Sequence, residues 1–262
     1  MSKRISLIAA VLCAACSSTP ESNQAIDRPL RIGSQAYQSG QLVDARMAFQ
    51  RATTAATLYD DNARLADAWL AKGASEVLLG EFAAAEQSYR AAKLEAIAGN
   101  VPDKVLQADI GLAETTRRQG QLAAAQAQYE NLRQKSGLTV TNQTQVDLGL
   151  ALCLLADGQL DAAEKLLQPW FARQADLPLA SRSAVLANTA RLRMAQGENA
   201  KASELAQTAL EIDREARNPP AIAADHALLA EIFQRAGRSD EAQWHLGVAR
   251  RIQSLTGQKV AP

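Results

Sequence analysis

The sequence predicts an all-α protein, a solenoid of about six helical hairpins with a repeat period of about 40 residues. Strong helix formers dominate the composition, and only 4% of the 262 residues are aromatic. This balance favours helices over a pleated sheet. A glycine also recurs at spacings of 40, 40, 38, 39 and 40 residues, which indicates a repeat architecture. An alanine follows each of these glycines by five positions.

The recurring glycines mark the turn within each hairpin. They are Gly40, Gly80, Gly120, Gly158, Gly197 and Gly237. Glycine enters the left-handed backbone conformation without a steric penalty, so it can end one helix and let the chain reverse. Each repeat is therefore predicted to consist of two antiparallel helices joined by a tight turn.

Small and apolar residues after each turn predict the buried face of the second helix. The alanines are Ala45, Ala85, Ala125, Ala163, Ala202 and Ala242. Four positions further on stand Phe49, Tyr89, Tyr129, Leu167, Ala206 and Leu246. A spacing of four places both positions on one helix face, which we expect to pack against the first helix.

The N-terminal segment predicts export. Lys3 and Arg4 precede an unbroken apolar run from Ile5 to Ala15. This run is about half of the ~20 residues that a membrane-spanning helix needs, so it is typical of a signal peptide. We expect residues 1–15 to be this signal.

The end of the signal resembles a bacterial lipobox, in the segment Leu12-Cys13-Ala14-Ala15-Cys16. It departs from the usual pattern in that Cys13 stands where leucine is commonest. The resemblance implies that Cys16 is acylated and becomes the first residue of the mature chain, and that Ser17 after it directs sorting to the outer membrane. Residues 16–28 are then the lipidated cysteine and a flexible tether, and residues 255–262 a disordered tail. The alternative is an ordinary signal peptide and a soluble periplasmic protein.

The repeats resemble the tetratricopeptide repeat (TPR) family. The second unit carries the resemblance best, through Trp69, Gly73, Gly80, Phe82, Ala85, Tyr89 and Ala92. The similarity covers nearly all of the mature chain and gives a repeat domain over residues 29–254. It implies a right-handed solenoid with a protein-binding groove lined by the first helix of each hairpin.

The groove positions carry over to twelve residues by their distance from the turn glycines. They are Tyr37, Val77, Leu78, Glu114, Arg117, Arg118, Leu152, Leu155, Arg191, Met194, Glu231 and Arg235. We expect a partner segment to place apolar side chains on the leucine patches and acidic groups on the arginines. The alternative is that the leucines pack between repeats and the arginines are solvated.

The sequence favours a non-enzymatic protein with no cofactor and no small-molecule substrate. Lys plus Arg number 28 and Asp plus Glu number 28, and their mixing along the chain argues against a nucleic-acid binder. The two histidines, His226 and His245, have no third ligand at the spacing of a metal site. We expect His226 in a packing position and His245 on the surface. Cys153 lies in an apolar stretch typical of a core thiol.

These observations together predict an outer-membrane lipoprotein on the periplasmic face, a scaffold that binds protein partners. TPR lipoproteins of this layout resemble accessory proteins of pilus, secretion and export systems, so assembly of such an envelope machine is the expected role. The alternative is a periplasmic adaptor that regulates peptidoglycan enzymes or proteases.

Overall fold

The computed structural model describes residues 20–258. Within this range, twelve α-helices form six consecutive antiparallel hairpins, and no strand is present. The helices are α1 (Pro20–Gln38), α2 (Leu42–Leu58), α3 (Asn62–Leu78), α4 (Phe82–Ala98), α5 (Pro102–Arg118), α6 (Leu122–Arg133), α7 (Val140–Ala156), α8 (Leu160–Ala172), α9 (Leu179–Ala195), α10 (Asn199–Glu215), α11 (Pro219–Arg235) and α12 (Ser239–Thr256). The predicted all-α solenoid of six hairpins is confirmed.

The turn within each hairpin is made by the predicted glycine. All six recurring glycines have a positive φ, between 70° and 82°. The residue after each glycine donates a backbone hydrogen bond to the preceding helix, as Gln159 N does to Leu154 O at 2.9 Å. The left-handed glycine thus satisfies carbonyls at the helix end while it reverses the chain.

The predicted buried face of the second helices is confirmed, with one exception. The six alanines after the turns are between 0% and 4% exposed, and Phe49, Tyr129 and Leu167 are at most 2% exposed. Leu246 was expected on this face, but it is 38% exposed. It lies on α12, the last of the described helices, and no described helix packs over this position.

The first helix begins earlier than expected. The predicted tether over residues 16–28 becomes helical from Pro20, and Pro29 lies inside α1 instead of starting it. The reason is burial, since Ile26 is fully buried against Ala56 and Leu65. Residues 16–19, and with them Cys16, lie outside the described residues.

The last helix also runs past its expected end. The disordered tail was expected from residue 255, but α12 continues to Thr256, whose side chain is buried. The signal peptide and residues 259–262 lie outside the described range. None of the helices between residues 20 and 258 combines the length and the apolar composition that crossing a bilayer requires.

The two ends of the solenoid meet. A methyl group placed on the α-carbon of Gly40 would lie 2.8 Å from Thr256 Cγ2 and 3.1 Å from Pro219 Cβ. One placed on Gly257 would lie 3.5 Å from Leu79 Cδ2. Leu79 is accordingly only 4% exposed although it sits in a turn. The last hairpin therefore rests on the turns of the first two, and we call this the end contact.

Candidate protein-binding groove

The first helices of neighbouring hairpins contact one another and form the inner face of the solenoid. Two adjoining cavities open on this face. The first has a volume of about 630 Å³ and lies between Tyr89, Tyr129 and Leu148. The second has a volume of about 610 Å³ and is lined by Glu114, Arg191 and Asp225, among others. The cavities share Glu114, Leu152, Ala184 and Asn188, so they form one continuous groove.

The structure brings five of the twelve predicted groove residues together. Glu114, Arg117, Arg118, Leu152 and Arg191 all line the second cavity. They come from α5, α7 and α9, so the predicted register of the first helices places these side chains on the inner face.

The predicted apolar patches lie elsewhere. Val77 and Met194 are 6% and 7% exposed and belong to the core, and Leu155 packs against it. The alternative expectation, that such side chains pack between repeats, holds for these three. Tyr37 also packs against the core and is only partly exposed, and Leu78 is half-buried.

Glu231 and Arg235 do not line either cavity. Both are exposed on α11, and their side chains form an ion pair with an Arg235 Nη2 to Glu231 Oε1 distance of 3.0 Å. An exposed pair of this kind, four residues apart on one helix, contributes only a few tenths of a kcal/mol, about 0.3–0.5.

Glu114 organises the positive side of the groove. Its carboxylate accepts hydrogen bonds from Arg117 at 2.7 and 2.8 Å, from Arg118 at 2.7 Å and from Tyr129 Oη at 3.2 Å. Burial alone would raise the pKa of Glu114, but the two arginines outweigh burial and lower it to about 2. The carboxylate is therefore ionised at neutral pH and fixes both guanidinium groups.

Arg191 faces the groove from α9 without an ion pair to any residue in the described range. Burial lowers the pKa of Arg191, the charge of Asp225 opposes that shift, and the charges of Arg117 and Arg118 reinforce it. The Arg191 guanidinium thus has donors free to bind an anionic group that enters the groove.

A buried acidic pair, Asp213 on α10 and Asp225 on α11, was not predicted from the sequence. Both side chains are nearly fully buried, and Ser183 donates a hydrogen bond to Asp213. Burial raises the pKa of both carboxyl groups, and the charge of Asp213 adds to this effect at Asp225, whose pKa is about 8. The pair therefore holds one proton near neutral pH. No sequence signal links two residues on different helices in this way.

Asn188 adds a free acceptor to the groove. Its side chain is 5% exposed, and its Nδ2 donates to the backbone oxygen of Ala184 at 2.8 Å. Within the described residues, Asn188 Oδ1 has no hydrogen-bond partner. A buried acceptor of this kind is expected to find a donor, such as a backbone N–H of a bound segment.

The charges of the second cavity sum to an excess of one positive charge. Arg117, Arg118 and Arg191 contribute three, Glu114 removes one, and the acidic pair with its shared proton removes another, giving 3 − 2 = +1. The groove is therefore electrostatically complementary to an anionic segment.

The remaining titratable candidates lie outside the groove. His226 is 2% exposed, in agreement with the predicted packing position, and Cys153 is fully buried, which raises the pKa of its thiol. His245 does not behave as an ordinary surface residue, because its Nδ1 lies 2.8 Å from His226 Nδ1. Between residues 20 and 258, no group of three or more His, Cys, Asp or Glu could hold a metal ion.

The chain is similar to known proteins in its structure. No protein-family model and no curated protein matches the sequence. The Rap conjugation gene regulator of plasmid pLS20, solved in complex with the Phr* peptide, is similar with a TM-score of 0.74 and 15% identity over 93% of this chain and 67% of that chain.

Two further solved structures are similar. Aspartyl phosphate phosphatase F from Bacillus subtilis has a TM-score of 0.60 and 12% identity, over 92% of this chain and 72% of that one. PilW, described as a widely conserved type IV pilus biogenesis factor, has a TM-score of 0.53 and 17% identity, over 90% and 94%. At these identities, the likeness establishes a shared helical-repeat fold.

Proposed function

Because this chain folds as a TPR-like repeat protein, we propose that it is a scaffold that binds a partner protein through an acidic segment held in the groove. The observation that carries the proposal is Arg191, a cation with no ion pair to any described residue, in a cavity with net positive charge. A carboxylate of the partner would pair with Arg191, and a backbone N–H would donate to Asn188 Oδ1. The similar Rap regulator was solved with a bound peptide, which supports a peptide-binding use of this fold.

The proposed scaffold is anchored at the outer membrane. Cys16 is acylated and tethers the chain to the periplasmic face of the outer membrane, where the scaffold assists assembly of an envelope machine such as a pilus, secretion or export system. The support is the lipobox resemblance, together with the fold that the chain shares with the pilus biogenesis factor PilW. A tethered scaffold meets membrane-bound partners at a raised effective concentration.

Partner binding is tested by a crosslinking pull-down from native envelopes with a C-terminally tagged chain. Arg191→Glu should reduce recovery of the partner at least tenfold, since it replaces attraction to a carboxylate by repulsion. Arg235→Glu is the matched control, because Arg235 is exposed and lies outside both cavities. Equal recovery by the wild type and Arg191→Glu, with unchanged circular dichroism, would refute the groove as the binding site.

The membrane anchor is tested separately with Cys16→Ser and membrane fractionation. The wild type should sediment with the outer membrane, and its mass should include the acyl chains. Cys16→Ser should lose both the acyl mass and the envelope partner. If neither form carries acyl chains and a hydrolase is recovered instead, the soluble adaptor is the better description.

A further inference from the structure

One edge of the first two hairpins carries exposed apolar side chains. Leu58 is 78% exposed, Leu94 68%, Ile97 58% and Tyr59 48%. They lie where α2 and α4 end, at the opposite end of these hairpins from the glycine turns. We call these four residues the apolar edge. Scattered exposed leucines are ordinary, but a contiguous set marks an interaction surface.

The two parts of the apolar edge belong to one surface. A methyl group on Gly99, just after α4, would lie 3.3 Å from Asn62 Cβ at the start of α3. Lys104 Nζ donates to the backbone oxygen of Ala63 at 2.7 Å and pairs with Asp67 at 2.7 Å. The loops that follow α2 and α4 are therefore packed side by side, which brings their apolar residues to the same edge.

The chain enters the solenoid at this same edge. Ile26 near the start of α1 packs against Ala56 near the end of α2 and against Leu65. Only four residue steps separate Cys16 from Pro20. Such a segment spans at most about 14 Å when fully extended. An acylated Cys16 therefore holds the start of α1 within about that distance of the bilayer surface, and with it the end of the first hairpin that carries Leu58 and Tyr59.

We propose that the apolar edge docks on the bilayer that holds Cys16, with Leu58, Tyr59, Leu94 and Ile97 entering the boundary between headgroups and acyl chains. The inference rests on the proposed acylation of Cys16. Amphipathic tyrosine and aliphatic side chains suit that depth. Docking then fixes the orientation of the solenoid, with the glycine turns of the first two hairpins pointing away from the membrane.

The charges at the edge indicate which lipid surface it fits. Asp60 and Asp103 are exposed there. Three nearby cations are engaged, since Arg64 contacts Asp27 and Asp61, Lys93 contacts Asp109, and Lys104 contacts Asp67. Arg28 on α1 is exposed, and the acidic side chains at this end outnumber the basic ones. No positive excess attracts anionic lipid, so the edge fits a zwitterionic surface and binds it through apolar contact.

The first test measures depth in the membrane. The acylated full chain is reconstituted into phosphatidylcholine vesicles with brominated acyl chains, which quench nearby tryptophans. Ile97→Trp should be quenched at least twofold more than Met47→Trp. Met47 is the matched control because it is 48% exposed and lies on the first turns of α2, far from the edge. Equal quenching at the two positions would overturn the proposal.

The second test separates the edge from the anchor. The mature chain without lipid, residues 17–262, is sedimented with phosphatidylcholine vesicles. The triple variant Leu58→Asp, Leu94→Asp, Ile97→Asp should bind at least fivefold more weakly than the wild type. A triple variant of exposed residues elsewhere, Ile32→Asp, Met47→Asp, Leu246→Asp, should bind like the wild type. Adding anionic phosphatidylglycerol should not strengthen binding.

These results keep the two proposals distinct. If mass spectrometry finds no acyl chains on Cys16 but the edge variant still loses vesicle binding, acylation of Cys16 is refuted and membrane binding by the apolar edge is supported. If the edge variant binds vesicles like the wild type, docking of the apolar edge on the bilayer is refuted, whether or not Cys16 is acylated. Self-association of the unlipidated chain that the edge variant abolishes, without vesicle binding, would assign the edge to a second copy of the chain instead.

Discussion

Gly149 on α7 lies against the ring of Tyr129 on α6, so closely that a methyl group on its α-carbon would stand 2.3 Å from Tyr129 Cζ. The same ring carries the hydroxyl that donates to Glu114 in the groove. Close approach of the two helices at this glycine therefore positions both the core and one side of the candidate binding site.

Gly149→Ala should destabilise the protein by about 1–3 kcal/mol, because the added methyl overpacks a filled core. The measurement is the free energy of unfolding in guanidinium chloride. Gly247→Ala is the control, since nothing lies within 4 Å of its methyl position in the middle of α12. It should be neutral or stabilising by up to about 1 kcal/mol, through helix propensity alone. Equal effects of the two variants would contradict the close approach.

Gly40→Ala should destabilise more than Gly120→Ala. Both glycines have a left-handed φ, of 77° and 80°, so alanine at either costs about 1–2 kcal/mol in backbone strain. At Gly120 the new methyl meets nothing within 4 Å, whereas at Gly40 it meets Thr256 and Pro219. Hydrogen exchange should rise in α12 for Gly40→Ala only. Equal exchange in the two variants would argue against the end contact.

Asp225→Asn should change the pH dependence of stability. The pKa of Asp225 is raised to about 8 by burial and by Asp213, above the ordinary value of about 4, so the folded state binds more protons between these values. The wild type therefore loses stability from this residue as the pH rises from about 4 to about 8. Asparagine does not titrate, so the unfolding midpoint of the variant should rise relative to that of the wild type as the pH increases from about 4 to about 8. A constant difference would refute the raised pKa.

His226→Gln should act in the opposite direction. Burial, the charge of His245 and the charge of Arg214 lower the pKa of His226 to about 4. The folded state then binds fewer protons than the unfolded state between about 4 and 6.5, so the wild type loses stability from His226 as the pH falls through that range. Glutamine does not take up this proton, so the unfolding midpoint of the variant should rise relative to that of the wild type as the pH falls from about 6.5 to about 4. Parallel curves for the wild type and the variant would contradict this prediction.

The local features of the fold could be predicted from the sequence. A turn glycine such as Gly120 and the alanine five positions later act through neighbours on the same hairpin, so their spacing reports their roles. The start of α1 could not be predicted in the same way. Pro29 is a typical helix-starting residue, but burial of Ile26 against the second and third helices extends the helix to Pro20.

The candidate site was predicted in part, for a physical reason. Positions three residues before the turn glycine include both Arg117 and Val77. The arginine extends into the groove, whereas the valine is drawn into the contact between repeats. The acidic pair escaped prediction altogether, because stacking of two different helices brings Asp213 and Asp225 together. The contact depends on how the sixth hairpin packs on the fifth, since α10 and α11 are consecutive helices of these two hairpins.

The end contact changes how the molecule should unfold. In an open array each repeat touches only its neighbours, so the terminal repeats fray first. Here Gly40 and Thr256, which are 216 positions apart in the sequence, are spatial neighbours. Forming so distant a contact closes a very long loop, so it is expected late in folding. Once formed, it joins the first and last hairpins, so the fraying of one end should be coupled to the fraying of the other, unlike the independent ends of an open array.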